Sequence, residues 1–170
     1  MKLTVLPNKD AYFNIGLQYV LRLFKECDYN SENIVFLNLS TWSVKEVIMS
    51  DWVDCNLNER TIIISHPNLL PLANYFSGLR RNICVVSLSD IKLTNKCSGG
   101  FTGKRARKSS AESEKALTAK EYQALQNLIF NIPLEKEACH LGVSKKTVYS
   151  LRKNVAKKLS IRNVREIFFW

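Results

Sequence analysis

The sequence contains few of the residues that build metal centres or disulfide frameworks. Its 170 residues include two histidines and five cysteines, and no two cysteines have CxxC spacing. An odd number of scattered cysteines does not fit a disulfide scaffold, and two histidines give little support to a zinc site. We therefore expect reduced thiols, no bound metal ion and no other cofactor.

Long hydrophobic runs are also missing. The longest apolar stretches, such as residues 61–65 and 83–86, are far shorter than the roughly 20 residues that span a bilayer. The N-terminal sequence MKLTVLPNKD becomes polar too early for a signal peptide. Since 46% of the residues are apolar and 10% aromatic, the chain can fill a core, and we expect a folded cytoplasmic protein with no membrane partner.

Acidic residues are scarce in the C-terminal part of the chain. Residues 101–170 hold 15 Lys and Arg against 6 Asp and Glu, whereas residues 1–100 hold 10 against 9. Residues 143–159, VSKKTVYSLRKNVAKKL, carry six positive charges and no acidic residue, although a merely solvated helix would gain from interspersed glutamates. Such a segment is typical of a surface that contacts phosphate backbones or an anionic membrane.

A segment rich in Gly, Ser and charge, residues 93–115, divides the chain. It lacks hydrophobic periodicity, which predicts a linker between a domain at residues 1–92 and a domain at residues 116–170. Its GGFTGKR motif is one residue too short for a phosphate-binding loop, and Arg105 replaces the Ser or Thr that binds the metal ion. We expect no nucleotide binding there.

Before the linker, β-rich runs alternate with segments of helix length. The runs LTVLP, NIVFLNL, TIIIS and ICVVSL predict a small α/β domain with a parallel sheet of about four strands, helices on its faces and right-handed crossovers. Ser65 and His66 at the end of the third run suggest a hydrolase pair. Adjacent strand residues point in opposite directions, however, and no acidic partner is evident, so we expect no enzyme activity.

After the linker the pattern is helical throughout and predicts an all-α domain of four helices. Thr118 and Glu121 have the spacing of a capping box at the start of the first helix. Gly142 permits the left-handed backbone that ends a short second helix, and Ser144 caps the long basic third helix. Two helices joined by a tight turn of this kind are a helix-turn-helix.

Three C-terminal segments, LTAKEYQALQNLIF, EACHLGVSKKTVYSLRKNVAKKLSI and NVREI, follow one another with unbroken spacing over residues 117–167. Together they resemble the DNA-binding domain of LuxR/FixJ-family bacterial transcription regulators, which implies binding to double-stranded DNA. The positions matching the family's base-reading residues are Tyr149, Ser150 and Lys153. The positions expected to hold phosphates are Lys145, Lys146, Thr147 and Lys157.

Other positions of the same domain carry further expectations. Arg152 is expected to face outward and to contribute to DNA binding. Glu137 replaces an aliphatic residue of the family pattern, and because an unpaired carboxylate in a core is costly, we expect it to be paired or at the rim. The last short helix commonly forms the dimer contact in this family. Here that contact would be Val164, Ile167 and Phe168, unless these side chains only close the helical core.

The N-terminal domain resembles, more weakly, the receiver domain attached to many such regulators. Asn8 and Lys9 stand where receivers keep the acidic pair that holds Mg²⁺. The phosphorylated aspartate corresponds to Asn38 if NIVFLNL is the third strand, or to Ser65 if TIIIS is. Neither is a carboxylate, so we expect a domain that is inert in phosphotransfer and acts by pairing, as in auxiliary members of the family.

The sequence therefore predicts a sequence-specific transcription regulator that works without phosphorylation. It would act as a homodimer or as the heterodimer partner of another LuxR-family regulator. One alternative is a protein-protein adaptor that modulates another regulator, with DNA contact secondary. A second alternative is a sigma-factor-like promoter reader, which the strand-rich N-terminal half disfavours because sigma domains are helical.

Overall fold

The computed structural model describes residues 3–25, 34–50, 52, 60–90 and 116–169. At residues 3, 19–25 and 90 it describes the backbone only. The described residues form an N-terminal α/β unit (residues 3–90) and a C-terminal helical unit (residues 116–169). The linker predicted at residues 93–115 lies outside the described residues, so the proposed domain boundaries stay a prediction.

The α/β unit is built on four parallel strands that lie side by side in chain order. The strands are β1 (Leu3–Leu6), β2 (Ile34–Leu39), β3 (Arg60–Ser65) and β4 (Ile83–Ser87). The helices between them are α1 (Ala11–Lys25), α2 (Val44–Met49) and α3 (Leu70–Leu79), with 3₁₀ turns at Pro67–Leu69 and Leu88–Asp90. The predicted four-stranded α/β architecture is confirmed.

Alternate residues of the central strands enter two separate cores. Phe36 and Ile64 pack with Leu17 of α1 on one face. On the other face, Leu37 and Ile63 pack with residues of α2 and α3. When strands follow one another in chain order, helices on opposite faces require crossovers of opposite hand. The expectation of right-handed crossovers is therefore wrong for at least one connection.

The helical unit consists of three α-helices and a terminal 3₁₀ helix. These are α4 (Ala119–Ile129), α5 (Leu134–Leu141), α6 (Lys145–Lys158) and the 3₁₀ segment Val164–Phe169. The capping box at the start of α4 is confirmed. Glu121 N donates to Thr118 Oγ1 at 3.3 Å, and Thr118 N donates to Glu121 Oε2 at 2.8 Å.

A residue with left-handed backbone follows the end of each of α4, α5 and α6 by one or two positions. These residues are Asn131 (φ 54°), Gly142 (φ 61°) and Ser160 (φ 55°). After each one, the next amide donates to a carbonyl five residues earlier in the helix, as in a Schellman motif. The three bonds are Ile132 N to Asn127 O (2.8 Å), Val143 N to Ala138 O (3.0 Å) and Ile161 N to Ala156 O (3.0 Å). The direction in which the chain leaves each helix is thereby fixed.

The two units share one hydrophobic core, which runs from the sheet through α2 and α3 into α4, α6 and the terminal 3₁₀ helix. Tyr75 of α3 stacks on Tyr122 of α4 with ring centroids 4.4 Å apart, and Phe76 meets Tyr122 edge-on at 5.5 Å. Lys45 Nζ of α2 donates to Phe168 O at 2.8 Å. The α/β unit therefore covers the face of the helical unit that carries Tyr122 and Phe168.

Candidate nucleic-acid interface

The orientation of α6 is set by its cap and by its apolar side. Ser144 Oγ accepts a hydrogen bond from Thr147 N at 3.1 Å, which begins the helix where the sequence predicted. Val148 and Val155 are fully buried, and Leu151 is partly buried against the core between α4 and α5. Because these residues recur every three to four positions, one side of α6 faces inward and the opposite side faces solvent.

The solvent side of α6 carries all but one of the predicted DNA-binding residues. The side chain of Tyr149 is 60% exposed, and the α/β unit does not cover it. The exposed set is Lys145, Lys146, Thr147, Tyr149, Ser150, Lys153 and Lys157. Their placement agrees with the prediction, while their contact with DNA stays a prediction.

Three lysines of this face have no acidic partner among the described residues: Lys146, Lys153 and Lys157. Lys145 differs, because its Nζ lies 2.6 Å from Glu135 Oε1 at the exposed start of the helix. The hydrogen bond from Lys145 lowers the pKa of the Glu135 carboxyl below its usual value. The positive potential of the face therefore comes mainly from the other three lysines.

Arg152 does not face outward, contrary to the prediction. Its guanidinium forms an ion pair with Oε2 of Glu137, whose carboxylate is fully buried, and only 13% of the Arg152 side chain is exposed. The expectation that Glu137 finds a partner is confirmed. An arginine at this position compensates the buried carboxylate, which would otherwise be costly, so its charge is used inside the helical unit.

Lys158 is the second basic residue of α6 that is used internally. Its Nζ donates to Glu121 Oε2 at 2.7 Å and to Ala116 O at 2.8 Å. Glu121 thus closes the capping box of α4 and also ties the last turn of α6 to the start of α4. Sequence reasoning assigned only the first role, because nothing local in the sequence connects residues 37 positions apart.

The carboxyl edge of the sheet has a polar cluster centred on Asn38. Asn38 Nδ2 donates to Asp10 Oδ2 at 3.2 Å, while Asp10 Oδ1 accepts from Phe13 N at 2.9 Å and caps α1. Asp10, which the sequence analysis did not single out, is therefore engaged on both oxygens. Ser65 Oγ, one strand away, donates to His66 O at 3.0 Å.

The strand order bears on the two alignments with a receiver. The flavodoxin-like order is 2-1-3-4-5, so removal of the second strand leaves the remaining strands in chain order, whereas loss of the last unit leaves 2-1-3-4. The observed order is β1-β2-β3-β4. This order favours the alignment that matches Asn38, at the end of β2 and next to β1, with the receiver aspartate over the alignment that matches Ser65.

Comparisons with known proteins bear on the same unit. The model of the EcpR N-terminal domain family matches residues 1–98, more than half of the chain. The chain belongs to this family. No curated protein sequence matches it significantly. Full-length FixJ from B. japonicum is similar over 97% of this chain and 92% of that chain, with 14% identity and a TM-score of 0.32, a likeness that establishes no detailed correspondence.

In this member of the EcpR N-terminal domain family, the terminal 3₁₀ helix packs against the chain itself. Val164 and Ile167 are buried, and Lys45 Nζ lies 5.9 Å from the ring centre of Phe168. This burial suits the interpretation that the three side chains close the core. A dimer contact through Val164, Ile167 and Phe168 stays a prediction.

The described ranges contain neither a cluster of metal ligands nor a helix that could span a membrane. Within residues 3–25, 34–50, 52, 60–90 and 116–169, no three His, Cys, Asp or Glu side chains cluster closely enough to hold a metal ion. No helix in that part of the chain is both long and apolar enough to cross a bilayer. Cys84 and Cys139, two of the five cysteines, are exposed free thiols.

Proposed function

We propose that the chain is a transcription regulator that binds double-stranded DNA in a sequence-specific manner through α6. The observation that carries this proposal is the outward side of α6, which is basic, free of acidic residues and not covered by the other described residues. An α-helix fits the major groove of B-DNA, and a basic helix gains affinity by neutralising phosphates. Helices α5 and α6 then act as a helix-turn-helix.

The exposed residues divide by their distance from the middle of the helix. Tyr149, Ser150 and Lys153 point to base edges, and the ammonium group of Lys153 suits guanine O6 and N7. Lys146, Thr147 and Lys157 hold phosphates, helped by the free backbone amides at the start of α6. Lys145 must break its ion pair with Glu135 before it binds a phosphate, so its contribution to DNA affinity is smaller.

Lys153→Ala is expected to weaken binding to the preferred duplex by about 1–3 kcal/mol and to relax the preference at one base pair. Lys146→Ala is the matched control, because it removes the same group from an exposed, unpaired position of the same helix. It should weaken all duplexes alike. The measurement is selection from a randomised duplex library, followed by titration of selected and scrambled duplexes.

Two results would count against these assignments. Equal, sequence-independent losses in both variants would mean that α6 clamps the backbone without reading bases. Failure of the wild-type protein to select any sequence would remove the claim of specific recognition and favour the adaptor function.

Phosphorylation independence is the second part of the proposal, and it is supported by the polar cluster at Asn38. An amide stands where a receiver needs a carboxylate, and the neighbouring Asp10 carboxylate already accepts hydrogen bonds from Asn38 Nδ2 and Phe13 N. Acetyl phosphate with Mg²⁺ should therefore neither label the protein nor change its DNA affinity. Intact-mass measurement after incubation checks the labelling. A stoichiometric, hydroxylamine-labile phosphate on the α/β unit would contradict it.

Pairing with a second regulator, of the same or another LuxR-family type, is the third part. It is supported by large apolar side chains on the α/β unit, since Tyr12 is 90% and Trp42 86% exposed. The same side chains favour the adaptor as a second candidate function. Light scattering of the protein with and without DNA separates a homodimer from a monomer that needs a partner.

A further inference from the structure

A shallow groove opens beside the C-terminal half of α6 and was not singled out by the sequence. Its volume is about 450 Å³, and its lining includes Lys153, Asn154, Lys157 and Arg162. Three of these four side chains are cationic, the fourth carries an amide donor, and no carboxylate lines the groove. A site with this set of donors selects an anion, and its shallowness suits an exposed phosphodiester better than an enclosed small molecule.

The loop that carries Arg162 is held by hydrogen bonds on both sides of this residue. Before it, the left-handed Ser160 reverses the chain, and Ile161 N donates to Ala156 O at 3.0 Å. After it, Asn163 Oδ1 accepts from Arg165 N at 3.0 Å. The loop that carries Arg162 is therefore fixed at both ends. The conformational entropy lost when Arg162 binds a ligand comes mainly from its side chain and not from the backbone.

We propose that this groove is a phosphate-binding subsite for the DNA backbone, with Arg162 as a phosphate contact outside the recognition helix. The inference rests on the proposed DNA binding and extends it. Lys153 lies on both the groove and the base-reading face, so a duplex engaged by α6 brings its backbone along Lys157 and Arg162. Arg162 makes no ion pair with any described residue, which leaves its guanidinium available for bidentate contact.

The test compares full-length wild-type protein with Arg162→Gln and Arg165→Gln on a mixed-sequence duplex over a range of salt concentrations. Arg165 is the matched control, because it is exposed three positions away and does not line the groove. Loss of one phosphate contact should reduce the slope of log K against log salt by about 0.9 in Arg162→Gln. The ratio of wild-type to variant affinity should therefore shrink about 3.5-fold between roughly 50 and 200 mM salt.

Two further variants test whether the change in slope is specific to the charge of Arg162. Arg165→Gln should leave the slope unchanged, and Arg162→Lys should retain it because the charge is kept. Equal slope changes in Arg162→Gln and Arg165→Gln would reveal diffuse electrostatics and overturn the subsite, as would an unchanged slope in Arg162→Gln. If the wild-type protein does not bind the duplex, the proposed function fails together with this inference. If it binds while Arg162→Gln matches it, only the inference fails.

Discussion

Arg152→Met is expected to lower the free energy of unfolding of the helical unit by about 3–5 kcal/mol, because it strands the fully buried Glu137 carboxylate without its partner. Domains of this size are stable by only about 5–15 kcal/mol, so the variant should lose much of its helical structure on mild heating. Urea unfolding followed by circular dichroism measures the effect.

Two further variants make this result specific to the buried pair. Lys145→Met breaks the exposed Lys145–Glu135 pair and should hardly change stability, because both groups remain solvated. Replacing Glu137 and Arg152 together with leucine should restore most of the lost stability, since the charge and its partner are removed at once. If the double variant also keeps its DNA affinity, Arg152 is not a DNA contact. A stable Arg152→Met variant with reduced DNA affinity would instead support the outward orientation predicted from the sequence.

Structural features that depend on a few neighbouring residues could be predicted from the sequence. The capping box of Thr118 and Glu121 and the cap at Ser144 each depend on side chains three positions from the backbone groups they satisfy, and the left-handed Gly142 depends only on that residue having no side chain. The inward side of α6 follows from periodicity in the same way. The boundaries and the orientation of the candidate recognition helix could therefore be predicted from the sequence alone.

The groups that the ends of long basic side chains contact could not be predicted in this way. Periodicity fixes where the Cβ of Arg152 lies on α6, but the guanidinium can turn toward solvent or toward a neighbouring helix. The choice depends on Glu137 of α5, 15 positions earlier in the chain. The partner of Lys158 is 37 positions away. The prediction therefore overestimated the positive charge that α6 offers to DNA by the charge of Arg152.

The order of the strands in the sheet and the hand of the crossovers could not be predicted from local sequence either. Composition and run length predicted strands, but two alignments with a receiver fitted equally well, and only the spatial neighbours of β1 distinguish them. The hand of the crossovers also depends on which face each helix covers. The apolar side chains of α1 and α2 do not contain that information.

The last expected result concerns the shared core between the two units. Phe76 is buried in α3 and touches Trp52, Tyr75 and Tyr122, so Phe76→Ala should cost about 3–5 kcal/mol through the cavity it leaves. Because Tyr122 belongs to the helical unit, the loss should reach both units. Phe130→Ala is the matched control, since Phe130 is 49% exposed and lies outside the shared cluster, and it should cost about 0.5 kcal/mol.

Two probes separate a shared core from two independent ones. The fluorescence of Trp52, whose ring centroid lies 5.1 Å from that of Phe76, reports on the junction once Trp42 and Trp170 are replaced by phenylalanine. Hydrogen exchange at the amides of the inward residues Val148 and Val155 reports on the helical unit. If the core is continuous, Phe76→Ala lowers the urea midpoint of the fluorescence transition and the protection of both α6 amides by similar free energies. If the α6 amides exchange as in the wild type while the fluorescence midpoint falls, the helical unit folds by itself. The contacts of Tyr122 would then be a docking surface, from which a partner of the α/β unit could release helices α4 to α6 without unfolding them.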